Sequence, residues 1–208
     1  MKIYFDGCSV CWGGELKSSH PKFNEEGERY SKLVCDALGA HESNMSRQGS
    51  SNFRIARQCL VRYNMQDYDL AVIQLTYNSR NEYWDPGKNR FHQFRVNYLD
   101  RMDGKGELIN RFYKDIYDPF YGDMYEYMFA TAIRDHCKVM GIPLILLTVG
   151  VSENQRLQSV LRTRNMDKKI DWDIDIAELL TKEDRAPFGH PNQKGHQKIA
   201  DRILEIVN

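Results

Sequence analysis

The chain has 208 residues, 41% of them apolar, and its 29 basic side chains balance 29 acidic ones. That size suits one domain with a single core and excludes a disordered chain, and the charge balance leaves no basic footprint for nucleic acid or an anionic membrane. No apolar run approaches the ~20 residues of a membrane span, and no charged segment with a long apolar run opens the chain, so a cytoplasmic protein without signal peptide or anchor is expected.

Lys2–Phe5 reads as a first strand. It runs into Gly7-Cys8-Ser9-Val10-Cys11-Trp12-Gly13-Gly14, a turn dense in small residues. Tyr30, Leu33, Val34, Ala37 and Leu38 recur at helical spacing, with Gly39 as the stop. A short strand is expected at His41–Met45. The polar loop from Ser46 to Asn52 follows, and Ser50 or Ser51 caps a helix whose apolar face is Ile55, Ala56, Cys59 and Leu60. Leu70–Leu75 is nearly all apolar, as a central parallel strand should be. The aromatic-rich stretch at about 79–120 has no readable period and is taken as an insertion, with turns at Asp85-Pro86-Gly87 and Asp103-Gly104-Lys105-Gly106. Met124, Met128, Ala132, Ile133, Cys137 and Met140 form a helical stripe ending at Gly141, and Ile142–Val149 reads as the next strand. A helix near Gln155–Arg162 and a weak strand or turn near Trp172–Ile176 precede a last helix, Gln193 to Val207. Asn192 would be its cap, and Ile199, Ala200, Ile203 and Val207 its inner face.

Strands and helices in alternation predict an α/β protein. The expected architecture is a three-layer α/β/α sandwich with a mostly parallel, flavodoxin-like sheet of about five strands, in a single domain over residues 1–208. Such sheets place their sites beyond the carboxyl ends of the strands. The polar groups expected there are Gly7–Ser9, Gly49–Asn52 and Thr76–Asn78, with His190 ahead of the last helix. A serine hydroxyl needs a base to attack a carbonyl and donors aimed at the oxygen that becomes negative. Ser9 as nucleophile, His190 as base, and the N–H groups of Ser9 and Gly49 with the Asn78 amide as oxyanion hole would supply both. Cys8 and Cys11 also stand in C-x-x-C spacing, which leaves a thiol redox reading open, although Gly13 and Gly14 interrupt the helix such motifs need. Five scattered cysteines, an odd count, argue against a disulfide framework and for a reducing compartment, and the absence of a second C-x-x-C argues against a metal site.

These segments resemble the four blocks of the SGNH hydrolases, or GDSL-type esterases. Gly7-Cys8-Ser9 stands where that family has Gly-Asp-Ser. Asn44 to Asn52 is similar to the second block through Gly49, Thr76-Tyr77-Asn78-Ser79 to the third, and His190-Pro191-Asn192-Gln193-Lys194-Gly195-His196 to the last. The Gly-Cys-Ser opening, with Thr76, Arg80 and Glu82 after the third strand, is similar to a variant subgroup of phage and marine bacterial proteins. The resemblance implies a cofactor-free ester hydrolase acting on a short acyl group, such as acetyl on a carbohydrate. It makes Arg80 and Glu82 substrate or loop contacts; as a plain pair they would shape the loop. The chain departs from the family at Cys8, Thr76 and Ser79. The usual aspartate three residues before the histidine is also missing, because Pro187 stands there. Asp184 is the nearest upstream carboxylate and would have to bend in as third member; otherwise a backbone carbonyl orients His190. A missing orienting carboxylate also favours a second reading, a non-catalytic binding or structural module on the same fold.

Overall fold

A computed structural model describes residues 1–16, 28–94, 106–150 and 172–208. Five strands form the main sheet: β1 (Lys2–Asp6), β2 (His41–Asn44), β3 (Leu70–Gln74), β6 (Leu144–Thr148) and β7 (Ile174–Asp175). They lie in the order β2-β1-β3-β6-β7, and every pairing is parallel. In chain order the five sheet strands are thus placed second, first, third, fourth and fifth, the flavodoxin-like winding expected from the alternating pattern.

Alternate residues of each strand feed opposite faces, which is how one sheet builds two cores. Ile3, Phe5, Leu70, Val72, Ile145 and Leu147 pack against α2 (Tyr30–Leu38) and the last helix, α7 (Gln193–Val207). Tyr4, Ala71, Ile73 and Leu146 face α3 (Asn52–Arg57) and α5 (Pro119–Met140) on the other side. The result is the three-layer sandwich. The caps fall where polar residues precede an amphipathic run: the Ser51 side chain accepts from Arg54 N–H and Asn192 from Gly195 N–H. A short α6 (Ile176–Leu179) follows β7. The helix expected near Gln155–Arg162 lies outside the described residues, as does part of the aromatic-rich stretch.

That stretch forms an antiparallel hairpin, β4 (Asn81–Asp85) and β5 (Arg90–Phe94), with its own register, followed by α4 (Gly106–Arg111) and a wider turn over Phe112–Ile116. Phe94 packs edge-on against Phe112 and Tyr113, with ring centroids 5.3 and 5.9 Å apart, so these aromatics fill space between local elements. The hairpin was unreadable because Asn81-Glu82-Tyr83-Trp84-Asp85 and Arg90-Phe91-His92-Gln93-Phe94 mix polar and aromatic residues without a two-residue apolar period.

The long helix differs from its expected stripe. Besides Gly122, its buried positions are Asp123, Glu126, Ala130, Ile133 and Cys137, while Met128 is exposed. Those positions are spaced three and four apart, so a helix docked through Ile133 and Cys137 must turn Asp123 and Glu126 inward and Met128 outward.

Candidate active site

The turn after β1 is a single helical turn, α1 (Ser9–Trp12), with Cys8 as its N-cap and Gly13 closing it at φ 84°. Gln74, the last residue of β3, pins this turn: its Oε1 accepts from the N–H groups of Cys8 (3.4 Å) and Cys11 (3.3 Å), and its Nε2 donates to Leu75 O and the Cys8 sulfur. Beneath it, buried Asp6 pairs with Arg54 at 2.8 Å and accepts from Gly7 N–H at 2.7 Å. Burial outweighs that pairing and raises the Asp6 carboxyl to about 6. Ser9 is therefore presented on a turn fixed from two sides.

Ser9 Oγ lies 2.7 Å from His190 Nε2, and His190 Nδ1 lies 2.5 Å from Glu15 Oε2. A carboxylate only accepts, so the facing Nδ1 carries the proton and Nε2 is left to accept from the Ser9 hydroxyl. Glu15 is fixed in turn: its Oε1 accepts from Phe188 N–H (3.1 Å) and its Oε2 from His190 N–H (3.2 Å). The Glu15 side chain is fully buried and the imidazole is 19% exposed, so one edge of the site meets solvent. Gly14 lies close by. A Cβ there would sit 3.1 Å from Ser9 O and 3.6 Å from His190 Cδ2.

Asp184 does not occupy the third position. Its carboxylate accepts from Thr181 N–H and Oγ1 and pairs with Lys198 at 2.6 Å. Those partners, Lys198 first, hold it below the usual carboxylate range. It braces the segment before α7, because its backbone oxygen also accepts from Asn192 N–H. The nearest carboxylate upstream of the histidine in the chain is thus not its partner; Glu15 is. Glu15 stands six residues after Ser9, directly behind the glycine pair, with no local feature that sets it apart from a solvated glutamate.

Gly49 has φ +77°, a conformation that glycine accepts without strain, and sits in the loop between β2 and α3. Among the described residues no acceptor takes its N–H. Asn78 is held by three neighbours: its amide donates to Asp123, its Oδ1 accepts from Tyr117 Oη at 3.2 Å, and Gly122 packs on its Cβ. One amide hydrogen of Asn78 remains. Asn52 ties the loops together, donating to Thr76 O (2.9 Å) and accepting from Thr76 N–H (2.7 Å). Glu82 forks onto Arg57, at 3.1 to 3.2 Å, and so ties the hairpin to α3. The Arg80–Glu82 pair considered as the plain reading is not formed.

The two cysteines of the turn are buried and free. Burial raises the Cys11 thiol to about 12. At Cys8 burial pushes the same way, but the Arg80 guanidinium, the Thr76 hydroxyl, Val10 N–H and the Gln74 amide outweigh it and bring the thiol below its ordinary value. His196 is a core residue: its Nδ1 accepts from Tyr30 N–H at 3.1 Å, its ring stacks on Tyr30, and burial lowers it to about 3. Among the described residues no three His, Cys, Asp or Glu side chains converge as a metal ligand set, and no helix is long and apolar enough to cross a membrane.

No family model and no curated protein matches the chain. Solved structures do match its fold. A G-D-S-L family lipolytic protein from Desulfitobacterium hafniense superposes with a TM-score of 0.56 at 10% identity, over 99% of this chain and 98% of that one. Axe2, an acetylxylan esterase from Geobacillus stearothermophilus, gives 0.55 at 15% identity over 100% and 94%. The acetyl xylan esterase Est2A from Butyrivibrio proteoclasticus gives 0.50 at 16% over 99% of this chain, which spans only 63% of that longer protein. With a parallel sheet in the same winding and neighbours of this kind, the chain has the fold of the SGNH, or GDSL-type, esterases and acylhydrolases.

Proposed function

We propose that the protein is a serine ester hydrolase with a Ser9–His190–Glu15 triad. The observation that carries this reading is the unbroken chain of short contacts from Ser9 Oγ through both imidazole nitrogens to a buried carboxylate. His190 Nε2 takes the Ser9 proton as Oγ bonds to the ester carbonyl carbon. The carbonyl oxygen becomes negative and is met by the N–H groups of Ser9 and Gly49 and the free hydrogen of Asn78. The Ser9 N–H stands at the first position of a helical turn, where no intrahelical acceptor exists. The carbon–oxygen bond to the alcohol then breaks, and the alcohol leaves with the proton from Nε2. Water, deprotonated by the same nitrogen, attacks the acyl-Ser9 ester; the acid departs and Ser9 regains its proton. Glu15 stabilises the imidazolium that forms in each half-reaction.

A short acyl group, acetyl on a carbohydrate, is the proposed substrate class. It is supported by the acetylxylan esterases among the similar structures and by two exposed rings, Tyr77 next to Asn78 and Phe188 next to the His190 segment, which offer flat apolar faces to a sugar. The non-catalytic reading drew on the missing aspartate and on the altered third block at Thr76 and Ser79; Glu15 beside His190 weighs against the first of these. Dithiol chemistry at Cys8 and Cys11 needs an accessible thiolate, and the two side chains are 1% and 0% exposed.

Labelling with a fluorophosphonate tests the assignment. The folded protein should be modified at Ser9 and lose its activity on 4-nitrophenyl acetate, and Ser9→Ala should do neither reaction. A folded protein that stays unlabelled and hydrolyses no acetyl ester rejects it.

A further inference from the structure

The loop from β3 to β4 carries a charge that the triad does not use. Arg80 is only 9% exposed, and its Nη1 has no hydrogen-bond partner. Among the described residues no carboxylate lies within ion-pair reach of it. The Thr76 hydroxyl, on the same loop and 1% exposed by residue, has no partner within hydrogen-bond distance and faces only the Cys8 thiol. A guanidinium taken out of water costs free energy unless an anion answers it, and a folded protein keeps such a group where a ligand supplies the answer. The Arg80 loop stands beside the Ser9 turn, because it leaves β3 just after Gln74, whose side chain holds the N–H groups of Cys8 and Cys11 in that turn. The guanidinium acts on the thiol of Cys8, the residue before Ser9, and Thr76 follows β3, the strand paired with β1 beneath the Ser9 turn. Tyr77, 57% exposed, has its ring centre 5.2 Å from the guanidinium carbon, so the cation lies beneath a solvent-facing ring.

We propose that Arg80 and the Thr76 hydroxyl form an anion-recognition site beside Ser9, and that the ester this protein takes carries a carboxylate. One guanidinium with one hydroxyl matches a monoanion in charge and in its two acceptor oxygens; a dianionic phosphate would call for more donors. The word ester rests on the hydrolase reading above, whereas the anion site rests on Arg80 alone.

The test uses matched esters that differ in one charge: 4-acetoxybenzoate against its methyl ester for a carboxylate on the alcohol, and 4-nitrophenyl hemisuccinate against its methyl ester for one on the acyl group. The full-length protein should prefer the carboxylate form of one pair. The ratio of the two kcat/KM values in that pair should fall roughly 100-fold in Arg80→Gln and recover in part in Arg80→Lys. In a Ser9→Ala background, which cannot turn over, calorimetry should show 4-acetoxybenzoate or hemisuccinate binding that Arg80→Gln abolishes. Hydrolysis with no charge preference, or a loss in Arg80→Gln that is equal for both members of each pair, overturns the anion site and leaves the hydrolase standing. A thiolate absorbance that vanishes in Arg80→Gln, with no anion binding, also overturns it, since Cys8 then answers the charge. Arg80-dependent anion binding in a protein that hydrolyses no ester and takes no fluorophosphonate supports the site and rejects the hydrolase.

Discussion

Glu15 sits at φ 70°, in the left-handed region that a residue with a Cβ enters at a cost of roughly 1–3 kcal/mol. Three donors repay it: two N–H groups of the Phe188–His190 segment and the imidazole itself. This geometry separates Glu15 from Asp184 by experiment. Glu15→Gln keeps the shape but offers an amide to Nδ1–H, and kcat on an acetyl ester should fall about 10⁴-fold. Asp184→Asn loses the charge that holds Lys198, so it should lower the unfolding free energy while kcat stays within a few-fold. Steady-state kinetics with a denaturant titration on both proteins decides the matter; a larger kcat loss in Asp184→Asn would reverse the assignment. Ser9 and His190 were legible as candidates, because one follows the first strand and the other precedes the last helix, and the order of the four blocks resembles that of the SGNH hydrolases. Glu15 was not. Nothing local distinguishes it from a solvated glutamate, and only its contact with a segment 175 positions away gives it a partner.

At the level of elements, the last helix and the loop before it act as one unit. Gly195, in the first turn of α7, lies so close to the preceding segment that a Cβ would stand 2.3 Å from the backbone oxygen of Asp184 and 3.0 Å from Pro191 Cβ. Neither neighbour is a flexible side-chain end. Gly195→Ala should therefore cost about 1–3 kcal/mol and displace His190 from Ser9, which a thermal melt and the rate on 4-nitrophenyl acetate would show together. An unchanged melt and rate would mean the helix entry yields more freely than this packing allows. Elements with a clean period were readable: β3 is apolar throughout, and α7 shows its Ile199, Ala200 and Ile203 face. The hairpin was not, since its strands pair with each other across a local register and bury one face only in part. The first half of α5 was misread for a different reason. Its inner positions are chosen by docking further along the helix, and they fall on carboxylates.

For the molecule as a whole, one of those inward carboxylates, Glu126, sets a pH dependence. Burial raises Glu126 from an ordinary 4.5 to about 8; Asp123 and Asp175 add to the rise and a hydrogen bond with Thr148 opposes it. Between those pH values the native state holds a proton that the unfolded chain has released. Stability should therefore fall as pH rises from about 5 to 8, by roughly 2–4 kcal/mol from this group. Asp6, raised to about 6 under Arg54, contributes the same sign over the lower part of that window. Glu126→Gln should be more stable than the parent at pH 8 and show a flatter profile, measured by denaturant unfolding at pH 5 and 8. A parent protein whose stability rises across this interval would refute the buried placement of Glu126.

The sequence by itself determined the layers. Strand-length apolar runs alternating with amphipathic segments leave a parallel sheet with two covered faces as the way to bury both, and the small-residue turns mark its carboxyl edge. The tertiary structure alone decided which carboxylate meets the His190 imidazole and which face of α5 turns inward. It also decided that no carboxylate among the described residues pairs with Arg80. Each of these depends on groups distant in the chain meeting in space, and periodicity, which reports only the side an element hides, carries no record of which partners it hides against.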